Sequence, residues 1–202
     1  MQTTTFTSLF DLVSALAGVE FTPLEQSKVV SLINRRLYEA YSASNAWPRY
    51  SAVGEARAIV SGVVPFTESG KTTIADFLRI HKSLPFSQMS AVEYEFYVDS
   101  AGAHILNTAD SSATSLYVTY KSVWDGPYDI SSTNVPLEHY YFAAHAAYAD
   151  FLRMDKQVDK AMAEEQVAAG YLAMEVAKAE SQRNNNIVSR RISTHVSRQF
   201  RN

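Results

Sequence analysis

Twice along this chain the spacing of apolar residues changes period, and those two changes constrain the fold more than any other feature. In "TPLEQSKVVSLINRRLYEAYSAS" Val29, Ile33, Leu37 and Tyr41 recur every fourth residue, with Val30 and Tyr38 broadening the stripe. That spacing sets them on one side of an α-helix. Thr22 can cap it, Pro23 suits the first helical position and Glu25 stands at capping-box distance. Asn45 and Pro48 end it. A shorter helix precedes it over "TSLFDLVSALAGV", with Thr7 or Ser8 as N-cap and Gly18 near its close.

From Trp47 to about Trp124 the period shortens. "EARAIVSGVVPF", "VEYEFYVD", "GAHILN" and "SATSLYVTYKSVW" are rich in β-branched and aromatic residues, with turn chemistry at Asp99–Gly102 and Thr108–Ser112. Val92, Tyr94, Phe96 and Val98 alternate with Glu93, Glu95 and Tyr97, as in a strand with two unlike faces. "TTIADFLRIHKSL" fits either period. Helical spacing returns at Pro136. Leu137, Tyr141, Ala144, Tyr148 and Phe151 mark one helix, "MDKQVD" a break, and the Ala- and Glu-rich run to "SQRNNN" a second. The expected fold is α+β: a bundle of about four helices with an inserted antiparallel β-rich subdomain and an extended C-terminal arm. The corresponding segments are the N-terminal helices at 1–46, the insertion at 47–135, the C-terminal helices at 136–182 and a basic arm at 183–202.

Composition sets the class. With 202 residues, 47% of them apolar, the chain can bury a substantial core. It has no cysteine, which removes disulfides, thiolate metal sites and cysteine nucleophiles. No apolar run approaches membrane-spanning length, and "MQTTTFTSLF" lacks the basic start and apolar stretch of a signal peptide. A soluble, non-secreted protein without membrane contact is expected. The net charge of −3 divides unevenly: Arg183, Arg190, Arg191, Arg198 and Arg201 give the last twenty residues +5, leaving −8 for the rest. An acidic body with a basic tail points to an acidic partner for the tail.

Several motifs invite a catalytic reading and fail on chemistry. "PFTESGKTT" places Gly70, Lys71 and Thr72 as a phosphate-binding loop would, but Pro65 occupies the first glycine position. Proline offers no N–H to a phosphate, and no βαβ alternation surrounds the motif. An ordinary loop between strands is expected. His81, His104, His139, His145 and His195 never recur at the four-residue spacing of a helical zinc site. Glu164–Glu165 and Asp155/Asp159 read as a solvated helix face. No serine lies in G-x-S-x-G, and Arg35 and Arg36 are too few for a DNA-reading stripe. The expectation is a protein with no enzymatic activity, no cofactor and no metal.

The arm is the most informative segment. Val188, Ile192, Val196 and Phe200 recur every four residues, with Arg190, Arg191 and Arg198 between them. The same positions line one face of a helix or one face of a strand. Interleaved serines and β-branched neighbours lean toward a strand. So few apolar side chains cannot offset the entropy of ordering the segment, so a partner surface is expected to complete it.

Three stretches together resemble the head-to-tail adaptor (connector or neck) proteins of tailed bacteriophages. They are "VVSLINRRLYEAYSASNAWPRY", "SATSLYVTYKSVW" and "PLEHYYFAAHAAYADFLRMDKQVDKAMAEEQ", which span most of residues 24–182. The resemblance implies a structural virion protein at the head–tail junction, without catalysis. It implies a homo-oligomeric ring, commonly a dodecamer, between the portal protein and the tail or its stopper. Genomic DNA would pass through the lumen without specific binding. Carried over by position, Arg190, Arg191, Ile192, Val196, Arg198 and Phe200 are the portal-contacting candidates. The alternative is a nucleic-acid-associated protein that uses its basic C-terminal tail on phosphates.

Overall fold

A computed structural model describes residues 2–85, 92–106 and 114–199, with side chains as far as Gln182. The chain forms two units: Met1–Trp47 together with Asp125–Asn202, and Pro48–Trp124.

The first unit is helical. Helices α1 (Phe6–Ala17), α2 (Pro23–Ser42), α3 (Tyr140–Met154) and α4 (Val158–Gln199) are joined by a two-residue pairing of β1 (Thr3–Thr4) with β8 (Val135–Pro136). One turn of 3-10 helix, Leu137–His139, leads into α3. Helix α1 starts two to three residues earlier than its serine and threonine suggested. Thr5 is the N-cap, its hydroxyl accepting from the Ser8 N–H at 3.1 Å, because Phe6 is needed in the core. Gly18 caps the other end at φ 67°, a conformation open to glycine. Helix α2 matches its marks. The Glu25 carboxylate accepts from the Thr22 N–H at 2.9 Å and from its hydroxyl at 2.7 Å. Val29, Ile33, Leu37 and Tyr41 are buried, whereas Tyr38 is exposed.

Helix α3 packs on α1, α2 and α4 at once. Of the expected stripe Ala144 is buried, Tyr148 and Phe151 are half-buried, and Leu137 and Tyr141 are exposed; the buried residues are mainly Ala143, Ala144, Ala146, Ala147 and Ala149. A helix surrounded by helices needs small side chains on several sides so that the axes can approach. Asp155–Gln157 break the chain as expected, with Lys156 at φ 62°. Helix α4 does not stop at the polar run "SQRNNN" but continues to Gln199. The arm thus leaves the bundle as a helix. Of its two readings, the backbone takes the helical one over the strand.

The second unit holds two three-stranded antiparallel sheets. One has the order β2 (Ser51–Ala58), β7 (Ser115–Ser122), β4 (Ile74–His81), and the other β3 (Val63–Pro65), β6 (Gly102–Ile105), β5 (Phe96–Asp99). The ambiguous 74–81 segment is thus a strand. Val64, Ile74, Ile80, Ala103, Leu116, Val118 and Tyr120 form one core drawn from both sheets. Tyr94 and Phe96 pack against it, while Val92 and Val98 are exposed. The Asp99–Gly102 turn closes a hairpin, and Gly102 is obligatory there: at φ 142° a Cβ would lie 2.1 Å from the Val64 carbonyl oxygen. The Thr108–Ser112 turn lies outside the described residues.

The expected insertion runs to residue 135; the contacts group Asp125–Val135 with the helical unit. Residues 125–135 are tied to the helices by polar contacts that hydrophobic spacing does not reveal. Asn34 Nδ2 donates to the Tyr128 carbonyl at 2.8 Å, and the Tyr128 N–H donates to Asn34 Oδ1 at 2.7 Å. The Phe6 N–H reaches the Ser132 carbonyl at 2.8 Å and the Thr7 hydroxyl that of Ile130 at 2.9 Å.

Candidate functional site

Helix α4 carries the arm, so what holds its first half in place defines the candidate site. Ala40 of α2, Phe142 and Ala146 of α3 and Ala168 of α4 form one small cluster, with Tyr171 and Leu172 against it. Beside it lies a charge network. Arg36 grips Asp150 in two parallel bonds, Nε to Oδ2 at 2.8 Å and Nη2 to Oδ1 at 2.6 Å. Arg35 adds a bond to Oδ2 at 2.5 Å, and Arg36 also bonds Glu39 at 2.7 Å. Glu165 of α4 joins through Arg36 at 3.7 Å and through Arg153. Burial opposes the charge on Asp150, but the hydrogen bonds from Arg36 and Arg35 outweigh it and hold its pKa below the usual carboxylate value. The Arg36 guanidinium is shifted up, chiefly by its bond to Asp150.

This network revises one expectation. Glu164 and Glu165 are not a solvated face: Glu165 pairs with arginines, and Glu164 bonds His145 Nδ1 at 2.8 Å. His145 stacks on Tyr171 at 5.4 Å, and Tyr171 in turn stacks on Tyr141 at 5.2 Å. Asp155 and Asp159 are exposed, as expected. The partners lie far apart in sequence, across helices, and no local spacing could have announced them. The one signal was two adjacent arginines, Arg35 and Arg36, inside an amphipathic helix.

The loop that resembles a phosphate cradle connects β3 to β4. A strand follows it where such a loop needs a helix N-terminus. The Lys71 ammonium pairs with Glu68 at 2.8 Å and donates to the Ala56 carbonyl. The Lys71 bond is the main cause holding Glu68 below its ordinary pKa. Next to it, buried Arg57 bonds the Thr72 carbonyl at 2.5 Å and the Tyr120 hydroxyl at 2.6 Å. Thus the cations here are occupied within the fold. His139 is buried with its ring against Trp47 at 4.7 Å, and His104 pairs with Asp99 at 2.8 Å. Among the described residues no three acidic or histidine side chains gather where they could hold a metal ion. No described helix is long and apolar enough to cross a membrane.

Of the portal-contacting candidates, Arg190, Arg191, Ile192, Val196 and Arg198 lie on the helical backbone of α4. Their side chains, and Phe200 altogether, lie outside the described residues. The chain matches no known family model and none of the curated proteins.

Proposed function

We propose that this chain is a structural head–tail adaptor of a tailed-phage virion. In this reading copies form a ring that docks on the portal, connects it to the tail or stopper protein and leaves a channel for DNA. The observation that carries the reading is α4. It is held by α2 and α3 through its first half and runs on to Gln199 as a helix, while residues 183–202 carry +5. Such an element suits docking on an acidic partner. The layout lends further support: both ends of the chain build the helical unit, and the β unit is inserted between them. Arg190, Arg191, Ile192, Val196, Arg198 and Phe200 would make the portal contact. An acidic remainder would repel passing phosphates and let DNA slide through the lumen.

The test is docking. Mixed with purified portal, the full chain is expected to decorate it with rings visible by electron microscopy. A chain lacking residues 183–202 should lose helical signal only in proportion to the residues removed, keep its cooperative thermal unfolding, and lose docking; unchanged docking removes the role given to the arm. The basic tail also favours a second reading, nucleic-acid binding. Tight duplex binding by the free chain, falling steeply with salt, would support that reading instead.

A further inference from the structure

Strand β2 is an edge strand: among the described residues its ladder is with β7 alone. The Ile59 N–H goes to the Thr114 carbonyl, just before β7, so the backbone groups of Ala56 and Ala58 face away from that ladder. An open row of such groups is a template for another strand. A proline or a lysine on the strand is a common safeguard, but β2 reads SAVGEARA and its single arginine is buried.

The cover comes instead from the loop between β3 and β4. The Lys71 N–H donates to the Glu68 carbonyl at 3.1 Å, closing a turn whose third residue, Gly70, has φ 77°. That is the position at which such a turn takes glycine. The turn sets the two side chains together, ammonium and carboxylate 2.8 Å apart. Both are long and charged, yet Lys71 is only 27% and Glu68 only 23% exposed, because they lie against β2. Glu68 accepts from the Ala58 N–H at 3.1 Å, and Lys71 donates to the Ala56 carbonyl. One acceptor and one donor thus stand where a neighbouring strand would place its own.

We propose that Glu68 and Lys71 are a latch on this edge: they stand in for a strand and keep β2 from pairing with the β2 of a second copy. With the latch open, each copy offers identical outward groups. Two such edges match antiparallel about a twofold axis at Ala56, where the N–H of each meets the carbonyl of the other. Gly54, Ala56 and Ala58 are small, so no bulky side chain opposes the approach. The phosphate-loop look of this segment thus comes from a turn glycine and a lysine that serve an edge strand. The latch goes beyond the adaptor reading and does not depend on it.

Residue-level hydrogen exchange on the full chain tests the latch directly. The Ala58 amide should be protected in the native chain and exchange about tenfold faster in dilute Glu68→Ala/Lys71→Ala. Light scattering during gel filtration should show that double variant gaining mass over the native chain as concentration rises. The swap Glu68→Lys/Lys71→Glu keeps an ion pair but turns a donor toward the Ala58 N–H and an acceptor toward the Ala56 carbonyl. It should therefore behave as the double alanine variant does, whereas a pair that merely steadies the loop would be restored. The chain has no cysteine, so the pairing can be trapped cleanly. Ala56→Cys should cross-link two chains on oxidation in the double alanine background and not with the latch intact. An unprotected Ala58 amide in the native chain, native mass for the double variant at every concentration, a swap that behaves as native, or equal cross-linking in both backgrounds would each overturn the proposal.

Discussion

Asp150 is the residue on which three helices depend. It sits on α3, takes two bonds from Arg36 and one from Arg35 on α2, and shares both Arg36 and Arg153 with Glu165 of α4. Asp150→Asn keeps the shape but leaves buried Arg36 with only the more exposed Glu39 and the more distant Glu165 as counter-charges, which should cost up to roughly 3–5 kcal/mol in urea unfolding. The pH dependence follows from the lowered carboxyl. A folded pKa below the unfolded one gives stability that is full above the unfolded value and is lost as pH falls through the folded one. The gap between the native chain and Asp150→Asn should therefore narrow in acid, below about pH 4, and stay constant above it. An equal gap at all pH values would mean that the loss is one of shape and not of charge. Gly102 makes a second prediction. Gly102→Ala would drive a Cβ into the Val64 carbonyl and force an unfavourable φ, so the β unit should lose about 1–3 kcal/mol or more, read by its thermal transition.

Helix α2 was readable because its end signals and its buried stripe agree, and because it shows one face to one neighbourhood. Thr22→Ala removes the hydroxyl bond to Glu25 and should cost about 1 kcal/mol, measured by chemical unfolding. Helix α3 was harder. Its apolar spacing picked out Ala144, which is buried, but also Tyr141, which is exposed, and it missed four further alanines that bury because the helix touches three other helices. Ala146→Leu, which overfills the cluster with Ala40 and Ala168, should destabilise by about 1–3 kcal/mol. Nothing local in "TTIADFLRIHKSL" chose strand over helix. Pairing with β7 on one side chose it, since an isolated eight-residue segment holds neither form alone.

The two units each have their own buried core, one of helix-borne apolar residues and one of strand-borne ones. Residues 48–124 produced alone should then show β-type circular dichroism and a cooperative thermal transition of their own. A featureless spectrum would show that the β core needs the helices. The segment 125–135 belongs with the helical unit, so a cut made at 135 should expose the Asn34 side chain and the β1 edge, and destabilise the helices.

Periodicity and end signals, local properties of the chain, were enough to read the α+β class, the helix–strand–helix order, the break at 155–157 and the hairpin at Gly102. They work because 3.6-residue and 2-residue repeats, caps and turns act over a few residues. The rest needed contacts between distant parts of the chain. Which arginines are spent on Asp150, which carboxylates are exposed, where the insertion ends and whether the 74–81 segment extends were all decided by neighbours many residues away. The same holds for the candidate site. The basic arm was visible as charge and period, but its continuity with α4 was not, because a helix already stabilised by packing along its first half can propagate through a polar run that would not start one.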